Sequence, residues 1–175
     1  ISGTFLFYRA LEDNGFPADI SAKAIGDTWL NYIVEDKTVL WWGGLGRSTE
    51  HTAYLRLKHG IAAPASGSIA MNGKGMAEQI GAEIFIDTWS MVNPSDPDRA
   101  AAMARAAGSV SHDGVAVEAA CLLAAMQAAA YDERDIDKLL DLGLRYSRSN
   151  ELNGVIADVR EQCAKAGDDW RAVRH

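Results

Sequence analysis

Val115-Ala116-Val117-Glu118-Ala119-Ala120-Cys121-Leu122-Leu123-Ala124-Ala125-Met126-Gln127-Ala128-Ala129-Ala130-Tyr131 settles the fold class. It predicts a helix over 115–131, in which Ala119, Ala120, Ala124, Ala125 and Ala128 to Ala130 allow close backbone approach. Alanine is the strongest helix former and adds no bulk at a helix–helix seam, so this segment reads as scaffold. Helical periodicity recurs on both sides. Upstream, Pro97 suits the first turn of an alanine-rich helix reaching about Ala107, with Ser95 or Asp96 as its cap. Downstream, Asp132 or Asp135 starts a short helix carrying Ile136, Leu139 and Leu140 and ended by Gly143. Residues 149–165 make another, with Leu152, Val155, Ile156, Val159 and Cys163 on one stripe.

The N-terminal half reads the same way. Residues 2–14 carry Phe5, Leu6 and Leu11 at helical spacing, and Gly15 suits the position just past the helix end. Ser21 caps a second helix with Ile25, Trp29, Leu30 and Ile33, and Ser48 caps a third that stops at Gly60. A fourth helix is predicted from about Met76 to Val92. It is apolar on several sides through Ile80, Ala82, Ile84, Phe85, Ile86, Trp89 and Met91, which makes it central and buried, and Asn93-Pro94-Ser95-Asp96-Pro97 breaks it. No period-2 run has strand composition with turn signals, and no internal repeat stands out. The expected fold is all-α: a compact orthogonal bundle of about eight helices, forming a single domain over residues 1–175.

The chain has 175 residues, 48% of them apolar. That suffices for one sizeable core burying roughly 70% of the unfolded surface. A net charge of −7 and a pI near 5.0 argue against a nucleic acid or an anionic membrane as partner. No apolar run reaches the roughly 18 residues of a membrane span, and Ile1 opens no signal peptide. Cys121 and Cys163 both sit in helical patterns and read as buried free thiols, which fits a reducing cytoplasm. The chain starts at Ile1 without a methionine and ends on Trp170-Arg171-Ala172-Val173-Arg174-His175, so both ends read as cuts through a longer protein. A cut that left apolar faces open would allow chains to associate.

Three segments carry the chemistry. Asn72-Gly73-Lys74-Gly75-Met76-Ala77-Glu78-Gln79-Ile80-Gly81-Ala82 is a Gly-rich turn running into a helical pattern. Free backbone N–H groups and the positive helix end there suit a phosphate or another anion, and the plain alternative is a chain reversal. The irregular stretch 61–75 before it, with Pro64 and Ser66-Gly67-Ser68, is long enough to suggest function. Lys74 reads equally as a phosphate donor and as a solvated lysine. The second segment is Ser109-Val110-Ser111-His112-Asp113-Gly114, where Asp113 reads as the N-cap of the helix that follows. The third is Gly46-Arg47-Ser48-Thr49-Glu50-His51-Thr52-Ala53, where Glu50 complements the helix dipole in the first turn. His51, His112, Cys121 and Cys163 lack the spacing of a zinc site. Trp41-Trp42 reads as core packing ahead of a lid stacking on a base.

Together with Ile1-Ser2-Gly3-Thr4-Phe5, these segments in this order resemble the ADP-ribosylglycohydrolase family, which includes dinitrogenase reductase-activating glycohydrolase and crystallin J1. The resemblance covers most of residues 1–165. It implies an all-helical fold and hydrolysis of the bond between ADP-ribose and an acceptor, assisted by two Mg²⁺ ions. It implies that Asn72, Gly73, Gly75, Met76 and Gln79 wrap the diphosphate and distal ribose of ADP-ribose, or of an ADP-ribosylated substrate. His112 would contact a ribose hydroxyl in the pocket, against the alternative of a hydrogen-bonded histidine between buried helices.

The metal-bearing motifs of the family, Thr/Ser-Asp-Asp and Asp-x-Asp-Thr/Ser, are absent. Asp168-Asp169 is followed by Trp170, Asp135-Ile136-Asp137 by Lys138, and Asp96-Pro97-Asp98 by Arg99. The resemblance therefore identifies the central part of such a domain, with no metal ligand and no catalytic residue assigned, and the bare chain is expected to be inactive. Met76, Ala77 and Glu78 replace residues that are small or polar in several relatives, and Glu78 would repel a diphosphate unless it points away or meets a cation. The alternative function is a non-catalytic ADP-ribose-binding or structural protein like crystallin J1.

Overall fold

The computed structural model describes residues 2–35, 37, 44–167 and 169–173. Among them are ten α-helices and no strand, so the all-α expectation holds. In chain order they are α1 (Ser2–Asp13), α2 (Ala22–Tyr32), α3 (Thr49–Lys58), α4 (Ile69–Asn72), α5 (Lys74–Ala77), α6 (Asp87–Met91), α7 (Pro97–Gly108), α8 (Gly114–Ala129), α9 (Ile136–Leu144) and α10 (Asn150–Ala166). Single 3₁₀ turns occur at Ala65–Gly67, Ile80–Ala82 and Trp170–Val173.

Local chemistry sets most helix ends. Ser21 Oγ accepts from the Ala24 N–H at 3.1 Å and Ser48 Oγ from the His51 N–H at 3.3 Å. Asp96, rather than Ser95, caps α7 by accepting from the Arg99 N–H at 3.0 Å. Asp135, rather than Asp132, caps α9 through the N–H groups of Asp137 and Lys138. Gly15 and Gly60 close α1 and α3 with positive φ, and the residue after each donates back five positions, Phe16 to Leu11 at 2.8 Å and Ile61 to Arg56 at 3.0 Å.

The core joins Phe7 of α1, Ile25 and Trp29 of α2, Tyr54 and Leu57 of α3, and Phe85, Ile86 and Trp89 around α6. Phe7 packs its ring 5.5 Å from Phe85 and 5.2 Å from Trp89. Helices α7 and α8 form the most extensive helix pair, through Ala100, Ala104 and Ala107 on one side and Ala116, Ala120, Ala124 and Ala128 on the other. A smaller cluster of Ala101, Val117, Cys121 and Ala125 receives Leu142 and Tyr146.

Four expectations are corrected. The helix predicted over 76–92 is three pieces, α5, the 3₁₀ turn at Ile80–Ala82 and α6. α5 buries Ala77, the turn buries Gly81 and Ala82, and α6 buries Thr88, Trp89 and Ser90, while Ile80, Ile84 and Met91 stand 71%, 61% and 56% exposed. Gly143 lies inside α9, and a Cβ there would come 2.6 Å from Met126 Cγ, so its role is close approach to α8 rather than termination. The stripe on α10 has no buried residue, and Cys163 on it is exposed while Cys121 is buried. The stretch 61–75 is more ordered than expected, since it contains a 3₁₀ turn and α4.

Candidate functional site

The three chemistry-bearing segments meet. The Asp113 N–H donates to the Ala77 carbonyl at 3.0 Å, and Asp113 Oδ2 accepts from the Ile69 N–H at 2.9 Å. Its other oxygen accepts from the Gly114 N–H at 2.8 Å, so Asp113 caps α8 and ties α4 and α5 to it. Thr49 Oγ1 of α3 donates to the Met76 carbonyl at 2.8 Å. Ser66 Oγ donates to the Val110 carbonyl at 2.7 Å.

Within the turn, several residues are occupied with the fold itself. Asn72 accepts from Arg56 Nε at 3.2 Å and donates to the Ser66 carbonyl at 2.7 Å. The Met76 sulfur lies 3.5 Å from Thr49 Oγ1, against α3. Gln79 is exposed and donates to the Gly75 carbonyl at 3.3 Å. Gly73 has a φ of 81° and caps α5, and Gly75 is exposed with open space where a Cβ would stand. The N–H groups of Lys74 and Gly75, at the first turn of α5, donate to no acceptor among the described residues.

Glu78 is engaged elsewhere and meets a cation. Its Oε1 accepts from the Val115 N–H at 3.0 Å in the first turn of α8, where a carboxylate meets the positive helix end. Lys74 Nζ stands 3.5 Å from Glu78 and 3.7 Å from Glu151. Trp41-Trp42 lies outside the described residues.

Behind the turn lies a buried polar group whose partnership the sequence did not reveal. His112 is 1% exposed, with Nδ1 2.8 Å from Ser111 Oγ and Nε2 without a hydrogen-bond partner among the described residues. Glu50 Oε1 stands 3.9 Å from Nε2. Burial pushes His112 down to about 4 and pushes the Glu50 carboxyl up, so the contact is not an ion pair at neutral pH. Gly81 closes over both: a Cβ there would clash with Glu50 Oε1 and stand 2.8 Å from His112 Nε2. The ring of Phe85 meets His112 edge-on at 6.1 Å. Glu50 thus does more than complement the α3 dipole.

A cleft of about 640 Å³ borders this group, lined by Ala62 to Ala65, Ser68, Ser109, His112 and Asp113. That volume suits a small-molecule ligand. Among the described residues no three His, Cys, Asp or Glu side chains form a group able to hold a metal ion, so they do not fit the Mg²⁺ pair implied by the resemblance. Nor is any helix among them long and apolar enough to cross a membrane.

Glu83, just past the 3₁₀ turn, has an Oε2 buried without a partner, and burial raises its carboxyl to about 7. The folded chain holds that proton up to about pH 7 while the unfolded chain releases it near 4.5, so stability falls as pH rises through this window. Glu83→Gln is therefore expected to raise stability at pH 8 by about 1 kcal/mol, after allowing for screening by water on its open side. The gain should fade on acidification to pH 4.5. Urea denaturation at the two pH values checks this, and an equal gain at both would refute it.

Searches of curated proteins and of solved structures gave no match. A family model described as ADP-ribosylglycohydrolase matches residues 2–174. With that match spanning nearly the whole chain and the quoted segments meeting at one place in an all-helical fold, the chain belongs to the ADP-ribosylglycohydrolase family.

Proposed function

We propose that this chain forms the ADP-ribose-holding side of a hydrolase that removes ADP-ribose from a modified acceptor. Family membership supports the reaction class. The observation that carries the site is the pair of free N–H groups at Lys74 and Gly75, on a turn hydrogen-bonded to the Ser111–Asp113 segment. An α-helix of one turn has little macrodipole, so the recognition of a diphosphate rests on these directed donors. Asn72 and Met76 hold the turn in shape, Gly73 and Gly75 leave its backbone accessible, and Gln79 stands exposed beside it. His112 takes the role of a buried positioning residue, setting the Ser111–Asp113 backbone against the turn. The Mg²⁺ of the family resemblance is assigned to no described residue. The partner in this reading is ADP-ribose or an ADP-ribosylated molecule, in a reducing cytoplasm compatible with the two free thiols.

Gly75→Asp tests the site without loading the fold. The position has open space for a side chain, and its φ is not in the left-handed region, so an aspartate fits without strain. A carboxylate beside the amides should weaken ADP-ribose binding at least about tenfold in calorimetry, with the melting temperature unchanged. Unchanged affinity in the folded variant would remove the turn from the site.

The second reading, a non-catalytic ADP-ribose-binding or structural protein, is favoured by the lack of a metal-holding group among the described residues. Incubating the natural full-length protein with Mg²⁺ and ADP-ribosyl-arginine or ADP-ribosyl-serine separates the two. Binding without turnover supports the second reading, and turnover supports the first.

A further inference from the structure

Beside α7 is a second cleft, of about 310 Å³, whose lining concentrates positive charge on a chain of net charge −7. Arg105, Arg145 and Arg148 line it, with Asp98, Tyr146 and the small side chains of Ala101 and Ala102. The nearby carboxylates are already engaged. Glu118 grips Arg105 with both oxygens, at 2.5 and 3.0 Å, and also accepts the Arg148 N–H at 2.8 Å. Asp98 accepts from the Tyr146 hydroxyl at 2.7 Å. Burial and the Asp98 charge push that phenol up to about 12, so it stays a donor to Asp98 at neutral pH.

The guanidinium groups of Arg145 and Arg148 therefore make no hydrogen bond or ion pair among the described residues. Arg145 sits at the C-terminal end of α9, where a cation is favourable in any case. Arg148 shares the Glu118 carboxylate with Arg105, and its charge helps to hold that carboxyl below its ordinary value. Arg148 directly precedes Ser149, the N-cap of α10, where the positive helix end opposes a cation. An anion between the two forks would satisfy both guanidiniums, and planar forks match the oxygens of a phosphate.

We propose that the cleft between α7 and the α9–α10 junction binds a phosphate dianion, free or carried on a small ester, through Arg145 and Arg148. This site is distinct from the cleft beside His112 and does not depend on the ADP-ribose reading. Calorimetry of the full chain with orthophosphate and with glycerol 3-phosphate should show one saturable site, and the tighter of the two identifies the source. Arg145→Ala combined with Arg148→Ala should weaken that binding at least about tenfold, the loss of charge-assisted hydrogen bonds. Both side chains are exposed, so the melting temperature without ligand should not move. Arg145→Lys with Arg148→Lys keeps the charge and loses the forks, and should also bind more weakly than the wild type. Three results would overturn the proposal: no saturable binding of either probe, unchanged affinity in a folded Ala or Lys double variant, or displacement of the bound phosphate by ADP-ribose.

Discussion

Gly67→Ala is expected to lower the stability of the fold by about 3 kcal/mol, the upper end of the range for forcing an extra carbon into a packed site. A Cβ at Gly67 would stand 2.5 Å from the Ser111 carbonyl carbon, 2.7 Å from the His112 nitrogen and 2.8 Å from the Ser111 Cα. All three are backbone atoms, so no rotamer change relieves the clash. Nor can that backbone yield freely. The His112 N–H donates to the Gly108 carbonyl at 2.8 Å, the Val110 carbonyl accepts from Ser66, and the Asp113 N–H is committed to Ala77. The 3₁₀ turn at Ala65–Gly67 must move instead, carrying away the lining of the cleft. Gly75→Ala is the control, because its Cβ meets open space and alanine favours a helix, and it should be neutral or stabilising. Urea denaturation of the two variants beside the wild type measures the difference. Equal stability of Gly67→Ala and the wild type would show that Gly67 is not the close contact described.

Acid should destabilise the protein through His112. The folded chain keeps its imidazole neutral down to about pH 4, whereas the unfolded chain takes up that proton near 6.5. Between these values the unfolded state binds more protons, so stability falls as pH drops through 6.5 and the loss is complete below 4. The displacement is worth about 3 kcal/mol for a ring this deeply buried. Glu50 and Glu83, with raised carboxyls, act in the opposite sense over an overlapping range. The comparison is therefore between the wild type and His112→Gln, which keeps polar groups at the site and cannot take up a proton. The wild type should lose about 3 kcal/mol more than the variant between pH 7.5 and pH 4. Parallel stability curves would mean that His112 does not resist protonation in the folded state.

What the sequence made legible is what short-range chemistry controls. Ser21, Ser48 and Asp113 cap helices because their side chains reach an N–H one to three residues on. The alanine run of α8 and the Gly15 and Gly60 stops are equally local. The pattern over 76–92 is ambiguous, because an all-round apolar run fits a buried helix and also fits successive turns, each anchored by different neighbours. What interrupts the helix is tertiary: Gly81 must lie flat over Glu50 and His112, and no spacing within the segment shows that. The partnership of Glu50 with His112 was hidden for the same reason, since the two are brought together only by the packing of α3 against the connection between α7 and α8. The α10 stripe shows the converse limit. Its period is helical, as the structure has it, but periodicity does not say whether a face is covered.

The alanine seam between α7 and α8 has a consequence for which changes the molecule can tolerate. Buried alanines give up no rotamer freedom, so the seam is well ordered, but it holds no long side chain that can swing aside to absorb an added group. Any larger residue at Ala120, Ala124 or Ala128 has to translate one helix along or away from the other. The link between the two helices is the Ser109–Asp113 segment, so such a translation is delivered to His112 and to the capping contacts that hold the turn. Variants many residues from any ligand would then behave in an assay like site variants. A mutational survey of this chain should find its functional footprint spread along α8, well beyond the rim of the cleft.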